Sequence, residues 1–249
     1  MALSDSNRFL PAFKCSRANK AGFTSRIFEV DFASVTLNDL DLINGHVSGI
    51  SDDGDGGAVE DFIANLTVNN CSFSGNSARS GGAIYDFGGN LTVNNCAFSG
   101  NTANDPTFAF GGAIYVTPAN PLPPGVQGLY PILSINNSTF SGNTATDGGA
   151  IFDSAFPTSF KNPQMAISGC SFSGNSATNG GAVYLDGSTH VTISTSSFVN
   201  NTATQQGGAI NAVAPSGFVQ LTVTQDTFSG NTPNNIFGTY TDGGGNIGL

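Results

Sequence analysis

Among the side chains of this sequence, the carboxylates are the best candidates for a catalytic site. Asp86, Asp153 and Asp186 each follow a segment of the type Gly-Gly-Ala-Ile, so they occupy similar places in a repeated unit. Hydrolysis of a glycosidic bond needs a pair of carboxyl groups facing each other, and these residues could line one edge of a fold built by repetition. Solvated acidic turns account for the same residues without any chemistry.

The densest group of carboxylates is Asp52, Asp53 and Asp55. Oxygen ligands of this kind bind calcium, and the nearby Glu60 or Asp61 could add to them. The stretch lacks the EF-hand pattern, so a solvated acidic turn is the alternative. Asp52, Asp53 and Asp55 therefore form the candidate metal site, and no resident cofactor is expected.

Basic and nucleophilic side chains do not suggest a second kind of site. Lyase chemistry needs a base and a cation, but Arg79 and Lys161 are the basic residues within the repeats and lie in different copies. His46 and His190 are too far apart along the repeats to cooperate. We predict no catalytic residues, and a non-catalytic role is favoured. Three cysteines share one repeat position and are expected to be small core thiols: Cys71, Cys96 and Cys170.

These residues lie within or between copies of one repeated segment, which is typified by Leu66–Tyr85 (LTVNNCSFSGNSARSGGAIY). Apolar residues alternate in short runs within it, which is the period of a β-strand, and Asn or Gly-Gly separates the runs. Strands this short bury an apolar face only when they are stacked on copies of themselves. Further copies are Leu91–Tyr115, Leu133–Phe152, Met165–Tyr184 and Val191–Asn211, with an incomplete copy at Leu221–Asn231 and a diverged one at Val35–Val59.

The repeat predicts an all-β fold, a right-handed single-stranded parallel β-helix (a solenoid) of about seven coils. We expect this β-helix domain over residues 31–249. Residues 1–30 carry five of the seven basic residues and do not fit the repeat. We interpret them as an N-terminal cap or as the remnant of a longer chain.

Stacking places two positions of each coil in the core. The Phe of a Phe-x-x-Asn motif should fill the interior as a column of rings, and the Asn should form an internal amide ladder. The Gly-Gly pair provides a tight corner. The phenylalanines are Phe73, Phe98, Phe140, Phe172, Phe198 and Phe228, and the asparagines are Asn76, Asn101, Asn143, Asn175, Asn201 and Asn231.

The pairing of Gly-Gly-Ala-[Ile/Leu/Val] with Phe-x-x-Asn resembles the repeat signature of the polymorphic outer-membrane proteins of chlamydiae. Five paired copies stand in register, from Phe73–Asn76 with Gly81–Ile84 to Phe198–Asn201 with Gly207–Ile210. The resemblance covers about residues 35–231. It implies an extracellular or cell-surface β-helical adhesin or binding passenger, associated with the outer membrane, whose signal peptide and any anchor are missing from this chain.

Composition limits the partners. The chain has 17 acidic and 7 basic residues, for a net charge of −10, whereas nucleic-acid binding needs clustered Lys and Arg. No apolar run is long enough for a transmembrane helix. We therefore expect no nucleic acid and no membrane-spanning segment in this chain. The resemblance implies a host-cell surface protein or glycan as the partner.

Two features following the Gly-Gly-Ala-Ile strands are candidate binding surfaces. If Ile84 faces the core, the next residue of each strand points outward and forms an aromatic row on which ligands can stack; the opposite phase buries the row. Its members are Tyr85, Tyr115, Phe152 and Tyr184. Loops also gather on this edge, and the longest, Val116–Ile132, carries Tyr130.

Other functions stay open. A polysaccharide lyase or hydrolase on a pectin-lyase-like β-helix would use the carboxylate edge. A purely structural spacer would use neither surface. An ice-binding solenoid would use a regular column of threonines such as Thr67, Thr92 and Thr192, although β-propensity explains that column more simply.

Overall fold

The computed structural model of the protein describes residues 12–15, 25–48, 55–107, 109–119, 132–154, 164–186, 190–213 and 219–249. Every regular element in these ranges is a β-strand. No helix in the described part of the chain has the length and apolar character that crossing a membrane requires.

Most strands lie in three long sheets, each named here after its recurring residues. The GGAI sheet contains, in spatial order, β1 (Ala12–Cys15), β2 (Phe28–Asp31), β5 (Val59–Phe62), β9 (Ile84–Phe87), β13 (Ile114–Thr117), β16 (Ile151–Ser154), β20 (Val183–Asp186), β24 (Ile210–Ala212) and β27 (Ile236–Gly238). The LTV sheet contains β3 (Ser34–Asn38), β6 (Asn65–Asn69), β10 (Asn90–Asn94), β14 (Ile132–Asn136), β17 (Gln164–Ser168), β21 (His190–Ser194), β25 (Gln220–Thr224) and β28 (Tyr240–Asp242).

The third, or Phe, sheet carries the Phe of each Phe-x-x-Asn motif. It contains β4 (Asp41–Ile43), β7 (Ser72–Ser74), β11 (Ala97–Ser99), β15 (Thr139–Ser141), β18 (Ser171–Ser173), β22 (Ser197–Val199) and β26 (Thr227–Ser229). Short pairs form at a further corner, between β8 (Ser77–Ala78) and β12 (Thr102–Ala103) and between β19 (Ser176–Asn179) and β23 (Thr202–Gln206).

The chain visits the three sheets in turn and returns to the first, one strand further along. Equivalent residues of successive coils pair in parallel register, for example Leu66 with Leu91 and Phe73 with Phe98. The predicted all-β parallel β-helix is confirmed, and the seven strands of the Phe sheet match the predicted number of coils. At the N-terminal end, β1 pairs antiparallel with β2. The division into 1–30 and 31–249 stays a prediction.

A column of stacked phenylalanine rings fills the interior. Five of the six rings are fully buried, and Phe228 at the last coil is 3% exposed. Consecutive ring centroids are 4.6 to 5.1 Å apart and the planes differ by 2 to 7°. This interval matches the distance between hydrogen-bonded strands, about 4.8 Å, so strand pairing sets the stacking distance of the rings.

The asparagine of each motif joins three coils. The Asn143 amide group donates to the carbonyl of Phe98 in the preceding coil (3.1 Å) and to Oδ1 of Asn175 in the following coil (2.9 Å). Its own Oδ1 accepts from the backbone N–H and the side-chain amide of Asn101 (3.0 and 2.9 Å). The buried amide is thereby satisfied, and so is the backbone N–H of Asn101, which donates to a side chain rather than to a neighbouring strand.

A second polar column runs beside the first and includes the three cysteines, all of them free thiols. The hydroxyl of Ser138 accepts from the backbone N–H of Cys96 (3.0 Å) and donates to the carbonyl of Asn136 (2.8 Å). The N–H of Ser138 in turn points at the sulfur of Cys170 (3.5 Å). Either Cys or Ser can occupy this position, because both side chains accept a hydrogen bond from a backbone N–H of the preceding coil and donate one to a carbonyl of their own coil. Burial raises the pKa of Cys96 to about 11.

The two glycines of each Gly-Gly-Ala motif meet different demands. Gly148 has φ +64°, a conformation that L side chains rarely adopt. Gly149 faces the next coil, where a Cβ would lie 2.1 Å from the carbonyl oxygen of Gly181 and 2.8 Å from the backbone of Ser176. The first glycine is needed for its dihedral angle, and the second for the close approach of coils.

Replacing Gly149 with alanine should therefore destabilise the protein far more than replacing Gly142. Gly142 also has a positive φ, +62°, but nothing lies within 4 Å of its Cβ position. We expect Gly142→Ala to lose about 1–2 kcal/mol of unfolding free energy from its backbone conformation, and Gly149→Ala to lose about 4 kcal/mol or more. Urea unfolding measures both, and equal losses would contradict the steric explanation.

Removal of one internal amide should be costly as well. Asn143→Ala leaves two donors of Asn101 and the carbonyl of Phe98 without their partner, and each buried group without a partner costs about 1–3 kcal/mol. The control is Asn136→Ala, whose amide bonds Asn94 on the outer face of the LTV sheet (3.0 Å) and should cost about 1 kcal/mol or less. The measurement is again urea unfolding, and a control as damaging as Asn143→Ala would refute the ladder.

Candidate functional site

The aromatic row lies on the outer face of the GGAI sheet. Ile84 and its equivalents are fully buried in the core, so the next residue of each strand points away from it. Strand register aligns Tyr85 with Tyr115, Tyr115 with Phe152, and Phe152 with Tyr184. The ring centroids of these pairs are 5.3, 5.4 and 4.9 Å apart. The four rings form a continuous strip along the solenoid axis.

This strip is only partly open to solvent. Tyr85 and Phe152 are 6% and 3% exposed, whereas Tyr115 and Tyr184 are half-buried. The ring of Phe110 lies over the strip, with its centroid 4.5 Å from that of Phe152 and 5.6 Å from that of Tyr115. The row thus points outward but is still largely covered. From the sequence we expected either an outward row open to ligands or a row buried in the core. Its role in binding stays a prediction.

The cover comes from a longer corner segment that sequence reasoning missed. Residues 102–110 separate the Asn and Gly-Gly of one coil, where residues 144–147 do so in the next. The carbonyl of Ala109 accepts from the N–H groups of Thr146 and Asp147 (2.9 and 3.1 Å), which fixes the segment to the next coil. The extra length was visible in the sequence, but the insertions considered there all followed the Gly-Gly-Ala-Ile strands.

Burial and nearby carboxylates affect the phenols of the strip. Burial raises the pKa of Tyr115 to about 12, although hydrogen bonding to Thr117 and Ser154 acts in the opposite direction. Burial also raises the pKa of Tyr184 to about 12, with contributions from the charges of Asp186 and Asp147. The phenols therefore stay neutral over the physiological range and offer hydrogen bonds rather than charge.

The two ends of the strip differ in charge. At the C-terminal end, burial raises the pKa of both Asp147 and Asp186, and Asn179 donates to Asp147 (2.8 Å). At the N-terminal end, Arg79 binds the carboxylate of Asp55 through two hydrogen bonds (3.0 and 2.6 Å). The charge of Arg79 is thus paired at the N-terminal end of the strip, and the C-terminal end carries the two carboxyl groups Asp147 and Asp186.

The candidate metal site at Asp52, Asp53 and Asp55 stays a prediction, because most of it is not described. Asp52 and Asp53 lie outside the described residues. Asp55 is 1% exposed, and both of its carboxylate oxygens accept from Arg79. The described residues contain no group of three or more His, Cys, Asp or Glu side chains that could hold a metal ion.

The proposed edge of three carboxylates does not form, which corrects the sequence analysis. Asp86 and Asp153 share an interior column with Val116, and they are 0% and 4% exposed. Asp186 pairs with Ser154, one residue further along the strand, and points outward. Strand alternation separates these carboxylates onto opposite faces of the sheet, so together they provide no acid–base pair.

Connections between the sheets vary at particular corners. Two residues join the LTV strand to the Phe strand in every coil, for example Asn70-Cys71 and Asn95-Cys96. The connection from the GGAI strand to the LTV strand is Gly88-Gly89 in one coil but residues 118–131 in the next. Other long connections there are 155–163 and 213–219. Most of these residues, including Tyr130, lie outside the described ranges.

Comparison with known families identifies the repeat. Residues 70–86, 137–154, 169–186 and 195–213 match the family model of the Chlamydia polymorphic membrane protein repeat. Four segments of the chain are thus similar to the chlamydial polymorphic membrane protein repeat. Each matched segment runs from the corner before the Phe strand to the following GGAI strand and so includes one Phe, one Asn and one Gly-Gly pair of the interior. Comparisons with curated proteins and with solved structures found no match.

Truncating the covering ring should expose the strip without unfolding the solenoid. Phe110→Ala removes the stacking on Phe152, and we expect a loss of about 1–3 kcal/mol, because Phe110 is half-buried rather than fully buried. Acrylamide should then quench tyrosine fluorescence more strongly. Phe237→Ala, at a ring that is 37% exposed, is the control and should change stability by about 0.5 kcal/mol or less. Unchanged quenching in Phe110→Ala would contradict the covering role.

Proposed function

We propose that the protein is a non-catalytic β-helical adhesin or binding passenger displayed at the cell surface or outer membrane. The main support is the contrast between a constant interior and variable connections beside the aromatic strip. The four repeat matches support the location, because the family is one of chlamydial membrane proteins. Loops of variable length on a rigid scaffold are a common arrangement for recognition.

The interior supports this role through rigidity. Each coil is fixed to its neighbours by strand pairing, by the Phe column and by the amide ladder. Lengthening a loop on such a scaffold costs little, because loop-closure entropy grows slowly with loop length. Insertions after the GGAI strands can therefore vary in sequence while the spine keeps its geometry.

The chemistry of the strip indicates what the partner presents. Tyr115 and Tyr184 are half-buried and neutral, and Asp147 and Asp186 lie at the C-terminal end. After Arg79 the sequence contains a single basic residue, Lys161. Such a surface suits stacking and hydrogen bonding with a glycan or with a polar and aromatic protein surface. Salt should affect the affinity little unless the partner is strongly basic.

The test compares two changes at this edge with one on another face. Residues 120–130 are replaced by a short Gly-Ser linker in one variant, and Tyr184→Ala alters the strip in another. Thr192→Ala is the matched control, because it is exposed on the LTV sheet in the same coil. We expect binding to host cells or to immobilised glycans to weaken about tenfold or more in the first two variants, with Thr192→Ala unchanged.

Circular dichroism and urea unfolding establish that each variant keeps the fold. If the linker variant and Tyr184→Ala both bind as the parent does, recognition does not use this edge. A loss confined to Thr192→Ala would move the binding surface to the LTV sheet.

A further inference from the structure

Two carboxyl groups are buried side by side inside the N-terminal half of the solenoid. Asp61 on β5 and Asp86 on β9 pair in register, and both are 0% exposed. They belong to an interior column that also contains the apolar residues Val30, Val116 and Leu185 and a third carboxyl group, Asp153. No other pair of neighbouring coils in the described part of this column places two carboxyl groups in contact positions.

The two carboxyl groups lie close together, and three of their four oxygens have no hydrogen-bond partner. Asp86 Oδ1 accepts from the N–H of Gly89 (2.8 Å), while Asp86 Oδ2 and both oxygens of Asp61 have no partner. A Cβ placed on Gly89 would lie 2.6 Å from Asp86 Oδ1 and 3.0 Å from Asp61 Oδ2. Both carboxyl groups therefore flank one point at the corner between the GGAI and LTV sheets.

The surroundings offer no cation to this pair among the described residues. Asp31 on β2 and Asp153 on β16 are the other carboxylates near it on the GGAI sheet, and their charges act on Asp61 and Asp86 respectively. Across the interior of the same coils stand Leu66, Leu91, Phe73 and Phe98, and the titratable groups there are the thiols of Cys71 and Cys96. Arg26 and Arg79 are engaged with Glu60 and Asp55 instead.

Asp61 and Asp86 cannot both be ionised in this buried environment. An isolated buried carboxylate is costly, and a second one beside it adds repulsion, so one or both groups bind a proton. We propose that Asp61 and Asp86 form a proton-sharing pair that keeps coils β5–β6 and β9–β10 tightly stacked in acid and loosens them as the pH rises. This inference is independent of the proposed binding function.

The direction of the pH effect follows from the two protonation states. Burial and the neighbouring carboxylates raise the pKa of Asp61 well above its usual value, and burial raises the pKa of Asp86 from 3.8 to about 7. The folded protein therefore binds more protons than the unfolded chain between about pH 4 and pH 7. The stabilisation is fully present below the unfolded pKa and is lost as the pH rises through the folded pKa.

The experiment is urea unfolding of the full chain between pH 4 and pH 9. We expect the unfolding equilibrium constant to rise about tenfold per pH unit while one proton is released. Asp86→Val, which copies the Val116 of the next coil, and Asp61→Val, which copies the Val30 of the preceding one, should flatten this dependence and be more stable than the parent at pH 8. Asp61→Asn and Asp86→Asn provide a second pair if a valine disturbs packing. Asp242→Asn, at an exposed position, should keep the parental slope.

Hydrogen exchange locates the effect. After correction for the intrinsic pH dependence, amides of β5 and β9 should lose protection between pH 5 and pH 8, and amides of β20 and β24 should not. A parental slope retained in the Asp61 and Asp86 variants would overturn the proposal, as would a uniform loss of protection. Stabilisation by millimolar calcium at pH 8, reversed by EDTA and absent in Asp86→Val, would also overturn it, because the pair would then hold a metal ion rather than a proton.

Discussion

Each coil of this protein contains polar backbone groups at its corners that face the interior, where water cannot reach them. Strand pairing satisfies the groups along the sheets, but at the corner after the Phe strand the backbone N–H of each motif Asn donates to a side chain of the next coil instead. The internal asparagines fill that need, since one amide serves the carbonyl of the coil before and the side chain of the coil after. The Asn bonds repeat at the interval that strand pairing sets, and they join each coil to the coils on both sides.

The interior of the solenoid therefore tolerates less change in sequence and length than the exterior does. Inside, Gly149 cannot gain a methyl group without meeting the carbonyl of Gly181, and Phe140 lies between two parallel rings. Outside, connections such as 118–131 alter no internal contact position of the strands that they join. Variation in length is found in the connections after the GGAI strands and at the corner of residues 102–110, where it does not change the register of the strands.

The sequence predicted the interior better than the exterior. Phe-x-x-Asn and Gly-Gly-Ala-Ile recur in register, and period-two alternation led directly from them to a stacked-strand fold. The cover of the aromatic strip does not follow from the sequence, because alternation relates the two sides of a strand but does not tell what packs against either side. Phe110 covers the strip from an insertion at a different corner, and no local pattern marks such a contact.

The carboxylates show where polarity misled the interpretation. Asp86 stands two residues after Ile84, and residues at that separation share one face of a strand. Its polar character suggested a solvent-facing turn, yet the strand carries it inside with Ile84. Asp186 follows Val183 by three residues and points outward. The spacing along the strand, rather than the chemical type, decides which carboxylate is buried.

The amide ladder also has a direction. From Asn76 to Asn201, every side-chain amide donates both to the Asn oxygen of the next coil and to a backbone carbonyl of the preceding coil. Every side-chain oxygen accepts from the preceding coil, so the C=O bonds all point the same way. The amide dipoles therefore add head to tail along the solenoid axis, and each bond polarises its neighbours in a medium of low permittivity. At the last coil Asn235 accepts from Asn231, and at the first the N–H of Gly45 donates to Asn76. The Asn column is therefore a row of aligned dipoles inside the protein. Gly45 occupies the hydrogen-bonding position at one end and Asn235 at the other.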